Sequence, residues 1–590
     1  MVSESQLAVD TSIQNVESTP TASRFASRNW LIPLVLIVVP LLLLIIYSKT
    51  MFPGLTNTDA LDFAQLGRNI SAGRGMVTYV LHPLALTHGS NALRQPDVTH
   101  SPLFPFLLAL AFGAAGARDS VASGVSGLFY LLTVPLLYVL GLRVFNRTVG
   151  LITAASFAFS GLMLEYAVSG LHITLYTFLV TALFLVLYNL AAVRKGQRKL
   201  PDVPLPLNLL VLAGILTGFL YLTDALFFWL IPVILGSIFW ISGSERRRAL
   251  IAFLLPLAAL TVPWMLRNLV VTGNPVFGLR GLEIWMDTGH HYPGGAAYSL
   301  SPEEFQRGAY LVPAVIKKIL MNLNTVIQTM PQISDTWILA FLLPCLLFGY
   351  TSLAATMLRR VMMFSSLALL FGTMVFRINM PIFSCLVPTM LVFAVAYLTH
   401  LVKQAKLSTF SLGTVAALLG ITIAYPLASQ LTLEEKNQPL LEALSAQALS
   451  KTAHPREVIL SDRPEVVAWY TDRPSIQIPA VDGNVADIRS RFPETRWLFL
   501  TPQARRQSPQ WQFLYDRCMD WNTAYLEAQK TNSEIPALMR ISGDGHPLFD
   551  ALAGFTSVGP LRGSSPTTVI AVLPEAKLSM DSGHRREMTP

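Results

Sequence analysis

Long apolar runs separated by short polar or basic joints fill most of the chain up to about residue 430, and that spacing predicts a bundle of membrane-crossing helices. The runs lie near 30–48, 101–116, 121–142, 149–165, 172–193, 207–223, 225–241, 249–267, 335–356, 361–376, 380–401 and 410–428. Leu31 to Ser48 and Ile173 to Val193 reach the 18 or so residues that about 30 Å of hydrocarbon requires. The second run departs from the rest: it carries Pro102 and Pro105 and ends in small residues. Its unbroken apolar part is too short to span.

The basic residues separate the alternatives, because Lys and Arg between spans collect on the cytoplasmic side. If 101–116 only lies on the membrane, one side receives Arg143 and Arg147, Arg194 to Lys199, Arg246 to Arg248, Arg359 and Arg360, and Lys403 and Lys406. Arg24 and Arg28 of the N-terminal tail join them, while the opposite short turns hold little beyond Asp224 and Arg377. The pattern therefore predicts eleven spans, with residues 1–29 as a cytoplasmic polar tail and 30–428 as the membrane module. External loops are expected at 49–120 and 268–334, and an external domain at 429–590. The first apolar run lacks a small-residue cleavage site and reads as a retained span.

After residue 430 the pattern changes to short alternating runs. Val458 to Leu460, Ser475 to Ile478, Trp497 to Leu500 and Val569 to Val572 read as strands, and Pro464 to Tyr470 and Val485 to Phe492 as helices. The expected fold is thus a mainly α, polytopic membrane protein with external juxtamembrane helices and a small C-terminal α/β domain.

Composition agrees with the membrane reading. Of 590 residues 52% are hydrophobic and 13% charged, about half the charged share of a soluble domain. The net charge of +8 follows from the basic joints, and no basic run interleaved with aromatics points to nucleic acid. Cys345, Cys385 and Cys518 have no metal-type spacing.

Candidate chemistry gathers at the external ends. The first loop opens Asn57-Thr58-Asp59-Ala60-Leu61-Asp62-Phe63 and continues through Arg68 to Gly73 and Gly75. Asp59 is either the cap of a short helix, whose first-turn N–H groups need an acceptor, or a carboxylate held at the surface beside a lipid-linked substrate. Thr99-His100-Ser101-Pro102 is either a proline-led helix start or a further part of that surface. Glu165 and His172 flank a short external turn, where ionisable groups are either solvated or functional. Arg267 in Pro263-Trp264-Met265-Leu266-Arg267-Asn268 and Arg377 in Arg377-Ile378-Asn379-Met380-Pro381 end spans on the outer side. Such arginines either snorkel to lipid headgroups or hold a phosphate through charge-assisted hydrogen bonds. Asp287, His290 and His291 form a weak candidate for a divalent metal.

Together these segments resemble the GT-C class of membrane glycosyltransferases, and among them the bacterial aminoarabinose transferases and protein O-mannosyltransferase-like enzymes. The likeness rests on Asp59, Phe63, Arg68 and Gly73, on His100 to Pro105, on Pro263 to Asn268, on Arg377 to Pro381, and on Ser461 to Pro474 in the tail. It implies transfer of a sugar from a polyprenyl-phosphate donor to a lipid, glycan or protein acceptor at the outer face of the membrane, with inversion. In that reading Asp59 is the base and Arg68, His100, Arg267 and Arg377 serve the donor phosphate. Relatives carry a second acidic residue where this chain has His172, so Glu165 or His172 takes that place or the role is absent. Asp62 is not singled out by the likeness. The competing readings are a transporter or flippase of a lipid-linked sugar, which predicts charges deep within spans and two related halves, and an inactive relative that binds lipid-linked glycans.

Overall fold

A computed structural model describes residues 31–89, 91–196, 206–285, 311–350, 352–433, 440–561 and 564–573. The membrane module comprises α1 (Leu31–Met51), the juxtamembrane helices α2 (Thr58–Ser71) and α3 (Leu103–Ala115), then α4 (Asp119–Val144), α5 (Arg147–Ala158), α6 (Gly161–Val168), α7 (Ile173–Gly196), α8 (Leu207–Thr223), α9 (Ile231–Ser242) and α10 (Arg246–Thr272). After the second long loop come α11 (Leu311–Thr329), α12 (Leu342–Leu347), α13 (Leu353–Val375), α14 (Val387–Gln404) and α15 (Thr409–Leu433). Among the described residues seven helical segments are long and apolar enough to cross a membrane. They become eight if α5 and α6, bent by 58° at their junction, count as one. Each run expected to span coincides with helix. Some of those helices, such as the 17-residue α8 and the short pieces between Trp337 and Leu347, are under 18 residues. Leu255, Val270, Phe410 and Leu347 stand exposed on the outside, as expected where acyl chains replace protein contacts.

The second run is helical but only 13 residues long, in keeping with a segment that does not cross. It packs on α2 through complementary apolar stripes. Ala60, Leu61, Phe63, Ala64 and Leu66 of α2 and Phe104, Leu108 and Phe112 of α3 are buried, at the i, i+3/i+4 spacing of one helix face. Gly67 makes the approach close: a Cβ there would lie 2.6 Å from the Leu108 Cβ.

The tail builds a six-stranded sheet in the order β1-β3-β2-β4-β6-β5. Its strands are β2 (Val458–Ser461), β3 (Ser475–Gln477), β4 (Thr495–Leu500), β5 (Thr556–Ser557) and β6 (Val569–Val572), all close to the runs expected to be strands or, for β5, newly found. The first strand, β1 (Val80–Leu81), comes from the loop between α2 and α3 and pairs in parallel with β3, Val80 opposite Ser475 and Leu81 opposite Ile476. The sheet therefore crosses the expected boundary at 429. Because side chains alternate across a strand, its two faces join different cores. Ile459, Trp497, Phe499, Ile570 and Val572 belong to the cluster that runs through the membrane module. Val458, Leu460, Leu498, Leu500, Val569 and Ala571 pack instead with residues of α18 (Asn484–Arg491) and α19 (Pro509–Thr531). The first of these faces is covered by α16 (Leu441–Ser450) and α17 (Pro464–Thr471).

Candidate active site at the start of the first juxtamembrane helix

The site grows from the start of α2. Asn57 holds extended backbone geometry and its side chain accepts from the Asp59 N–H at 2.9 Å. Asn57 is thus the cap, and the expectation that Asp59 serves as one is corrected. Asp59 sits in the exposed first turn, and no donor among the described residues bonds its carboxylate. It lies close enough to His100, Arg280 and Glu465 to influence the ionisation of all three. Three distant stretches of sequence therefore converge on it: the loop before α3, the loop after α10, and the tail.

Asp62, one turn on, is buried, and its Oδ2 is 3.5 Å from His100 Nε2. The other ring nitrogen of His100, Nδ1, faces Asp97 Oδ1 at 3.1 Å, and Asp97 Oδ2 accepts the His100 backbone N–H at 2.9 Å. Burial alone would strip the proton from His100, but the two carboxylates outweigh it and hold the imidazole charged, up to about 10. Burial pushes Asp62 up to about 6 against the pull of His100. Gln65 donates to Asp62 Oδ1 at 2.8 Å and to Thr78 Oγ1 at 3.0 Å, while its own oxygen accepts from the Tyr79 N–H at 2.9 Å. This network ties α2 to the strand that enters the tail sheet. Arg267 extends it: Nη2 donates to the Asp97 carbonyl, and the guanidinium lies 4.8 Å from the Trp264 ring centroid.

A second chain of polar groups starts at His172. Its Nε2 is 3.7 Å from Asp224 Oδ2, and Asp224 Oδ1 pairs with Arg280 at 2.8 Å. Arg280 also approaches Glu283 at 3.4 Å. Phe63 separates the two chains, with its ring centroid 5.0 Å from that of His100 and 4.8 Å from that of His172. Both His172 ring nitrogens are buried without a hydrogen-bond partner among the described residues. Asp59, Asp62, His100, His172 and Arg267 are thus brought into one neighbourhood.

The other expected residues lie differently. Arg68 faces the tail: it donates to the carbonyls of Trp469 at 2.6 Å and Ala468 at 2.8 Å and pairs with Asp472 at 3.0 Å. Its guanidinium is spent on the end of α17, and this replaces the expected donor contact. Glu165 is exposed on α6, and Arg377 is exposed with no hydrogen bond or ion pair among the described residues. Asp287, His290 and His291 lie outside the described residues. Among those described, no three His, Cys, Asp or Glu side chains gather as metal ligands.

Sequence reasoning missed Asn57, Asp97, Arg280 and Glu465. Asn57 was legible from the Asn-x-Asp spacing of an Asx turn. Arg280 and Glu465 gave no local signal, because only the folded chain brings them to α2.

No protein-family model and no curated protein sequence matches the chain. Solved structures do. The Archaeoglobus fulgidus oligosaccharyltransferase in its apo form aligns with a TM-score of 0.55 at 13% identity, over 81% of this chain and 71% of that one. The same archaeal enzyme in complex with an inhibitory peptide and a dolichol-phosphate aligns with a TM-score of 0.53 at 14% identity, over 81% and 70%. ArnT from Cupriavidus metallidurans bound to undecaprenyl phosphate aligns with a TM-score of 0.52 at 11% identity, over 92% and 98%. The chain has a GT-C-like membrane fold. In that fold the convergence on Asp59 lies where the loop after α1, the loop after α10 and the tail meet.

Proposed function

We propose that this protein is a glycosyltransferase that moves a sugar from a polyprenyl-phosphate donor to a lipid, glycan or protein acceptor at the outer face of the inner (plasma) membrane. The observation that carries the reading is the Asp59 carboxylate. It is exposed, relieved of capping by Asn57, and set beside a charged imidazole and Arg280. The likeness to solved structures of lipid-linked-sugar transferases supports the donor class.

In the proposed step Asp59 takes the proton of the acceptor hydroxyl while that oxygen bonds to the anomeric carbon. The anomeric carbon–oxygen bond to phosphate breaks, and the electron pair leaves with the lipid phosphate. Attack from the opposite face inverts the configuration. The departing phosphate needs charge stabilisation more than a proton, and Arg267, Arg280, Arg377 and His100 are the cations available for it. The basic joints support an N-terminus inside and a tail outside. Reporter fusions after residues 120 and 430 should both read extracytoplasmic, and a cytoplasmic reading at either would overturn that topology.

The decisive experiment incubates the purified protein with labelled polyprenyl-phosphate sugars and membrane extract. Transfer of label that depends on Asp59 is the expected result. Movement of the intact lipid-linked sugar between leaflets without transfer would favour the flippase reading instead. Binding without either would leave a lipid-glycan-binding protein.

A further inference from the structure

A patch of arginines lies at the end of the membrane module away from Asp59. Helix α9 carries Phe239 and Trp240 near its end, α10 begins with Arg246, Arg247 and Arg248, and α13 holds Arg359 and Arg360 in its first turns. Helices α9 and α13 run in opposite senses. Gly372, late in α13, packs against Trp229 just before α9, and Arg360, early in α13, meets Trp240 late in α9. At about 1.5 Å per residue, Arg246 and Arg267, near the two ends of α10, stand roughly 30 Å apart, which is the thickness of the hydrocarbon. Arg267 belongs to the candidate site, so Arg246 marks the opposite membrane surface.

Topology asks only for positive charge between spans, and the placement here goes further. Arg359 is spent inside the protein, donating to the Phe348 carbonyl. Arg246, Arg247 and Arg360 stand exposed instead, with no hydrogen bond or ion pair among the described residues. Arg246 Cζ lies 4.1 Å from the ring centroid of Phe239, and Arg360 Cζ lies 5.9 Å from that of Trp240. Two adjacent rings of α9 thus draw together arginines from two helices distant in sequence. A guanidinium stacked on a ring uses its face and keeps its in-plane N–H groups free, and that edge matches the oxygens of a phosphate. Glu245 is the one carboxylate in residues 239–250 and 352–362, and it lies 3.9 Å from Arg248, so the surface is net positive. Phe239 and Trp240 are themselves exposed, as suits aromatic side chains at the headgroup level.

We propose that this surface binds the headgroup of an anionic phospholipid in the leaflet opposite the Asp59 site. Arg246 and Arg360 fork the phosphate oxygens, and Phe239 and Trp240 lie beside the glycerol. A zwitterionic headgroup brings an ammonium that the arginines repel, whereas a headgroup of net negative charge is held by the whole cluster. The inference rests on the membrane fold and stands whether or not the protein transfers sugar.

The test maps lipid contacts on the full-length protein. Nanodiscs of phosphatidylcholine receive a trace of phosphatidylglycerol with a photoactivatable headgroup, and cross-linked peptides are located by mass spectrometry. Labelling should concentrate in residues 239–250 and 356–363. Unlabelled phosphatidylglycerol should compete it away, and additional phosphatidylcholine should not. An arginine at an anionic headgroup contributes about 1 kcal/mol, or about 5-fold, so Arg246→Gln combined with Arg360→Gln should lower labelling roughly 25-fold. Arg246→Lys with Arg360→Lys keeps the charge that sets topology and should lose part of the labelling, because Lys has no planar fork. Arg143→Gln with Arg147→Gln, at the joint between α4 and α5, should change nothing. Labelling spread evenly over all the basic joints, or unchanged in the inserted Gln pair, overturns the site. In the wild type alone, equal labelling by a phosphatidylcholine probe of the same design also overturns it, even if the Gln pair fails to insert.

Discussion

The two ends of α2 are built for different purposes. At its start Asn57 satisfies the helix, and Asp59 is left with no hydrogen-bond partner among the described residues. At its end the long polar side chains hold the tail and the loop that follows. Arg68 holds the carbonyls of α17 and Asp472, Asn69 donates to the Val77 carbonyl at 2.8 Å, and Arg74 forks onto Asp472 at 2.9 and 3.1 Å. One 14-residue helix thus carries a reactive end and an anchoring end. A free carboxylate costs little at an exposed turn, whereas a buried guanidinium has to be paired. The lesson is that a motif can mix chemistry with attachment, and that partner accounting separates them.

The sharpest way to break the comparison is Asp59→Asn. Asn57 remains as cap, so insertion and thermal stability should not change, while turnover should fall by roughly 100-fold or more because an amide cannot take the proton. A transfer assay at matched expression checks this, and near-normal transfer would remove Asp59 as base. At the other end, Arg68→Ala should leave the Ala468 and Trp469 carbonyls without their donor and Asp472 with Arg74 alone. We expect a loss of about 2–3 kcal/mol in tail docking, read as protease sensitivity of residues 440–573. A tail equally resistant without Arg68 would show that β1 pairing and Asp119 suffice. Asp119 is the second anchor, accepting from Trp469 Nε1 at 2.7 Å, the Tyr470 hydroxyl at 2.8 Å and the Leu55 N–H at 3.1 Å.

Gly67→Ala probes the helix between the two ends. Its Cβ would meet Leu108, so α3 must shift, at a cost of about 1–3 kcal/mol, measurable as a lower unfolding midpoint. His100 gives a pH prediction. Its proton affinity is raised on folding, so its stabilising contribution is complete below about 6.5 and is lost as pH rises through about 10. The first loop should loosen in that alkaline window, and Asp62→Asn should bring the onset to lower pH; an unchanged onset would argue that Asp97 alone holds the charge. The smallest effect is expected at Arg377. Arg377→Ala should weaken donor-lipid binding without unfolding, and Lys should recover part of it. Unchanged donor affinity would assign Arg377 to headgroup contacts.

Much of the architecture was legible because membrane solvent writes strong periodicity into the chain. Apolar runs located the helices, proline and length set α3 apart, and alternation found β2, β3, β4 and β6. The short strand β1 was not legible. Val80 and Leu81 carry no run of their own and gain strand geometry only from β3. The site divides the same way. Asp59, His100, His172 and Arg267 stand in recognisable local segments, and the fold gathers them. Arg68 looked equally local, but its partners lie some 400 residues away, and no spacing rule reaches them. Arg280 sits in a 3-10 turn of a long loop, where hydrophobic pattern carries no information.

The pairing of β1 with β3 has a consequence for biosynthesis. At about 5–20 residues per second, the ribosome delivers Ser475 on the order of a minute after Val80. Throughout that interval most of the membrane helices are still being inserted, and the edge of β1 waits unpaired. The surroundings of Asp59 are therefore finished last, when the tail emerges and zips onto a segment made at the beginning. A nascent chain stalled before β3 should hold all its membrane helices and still lack an assembled site.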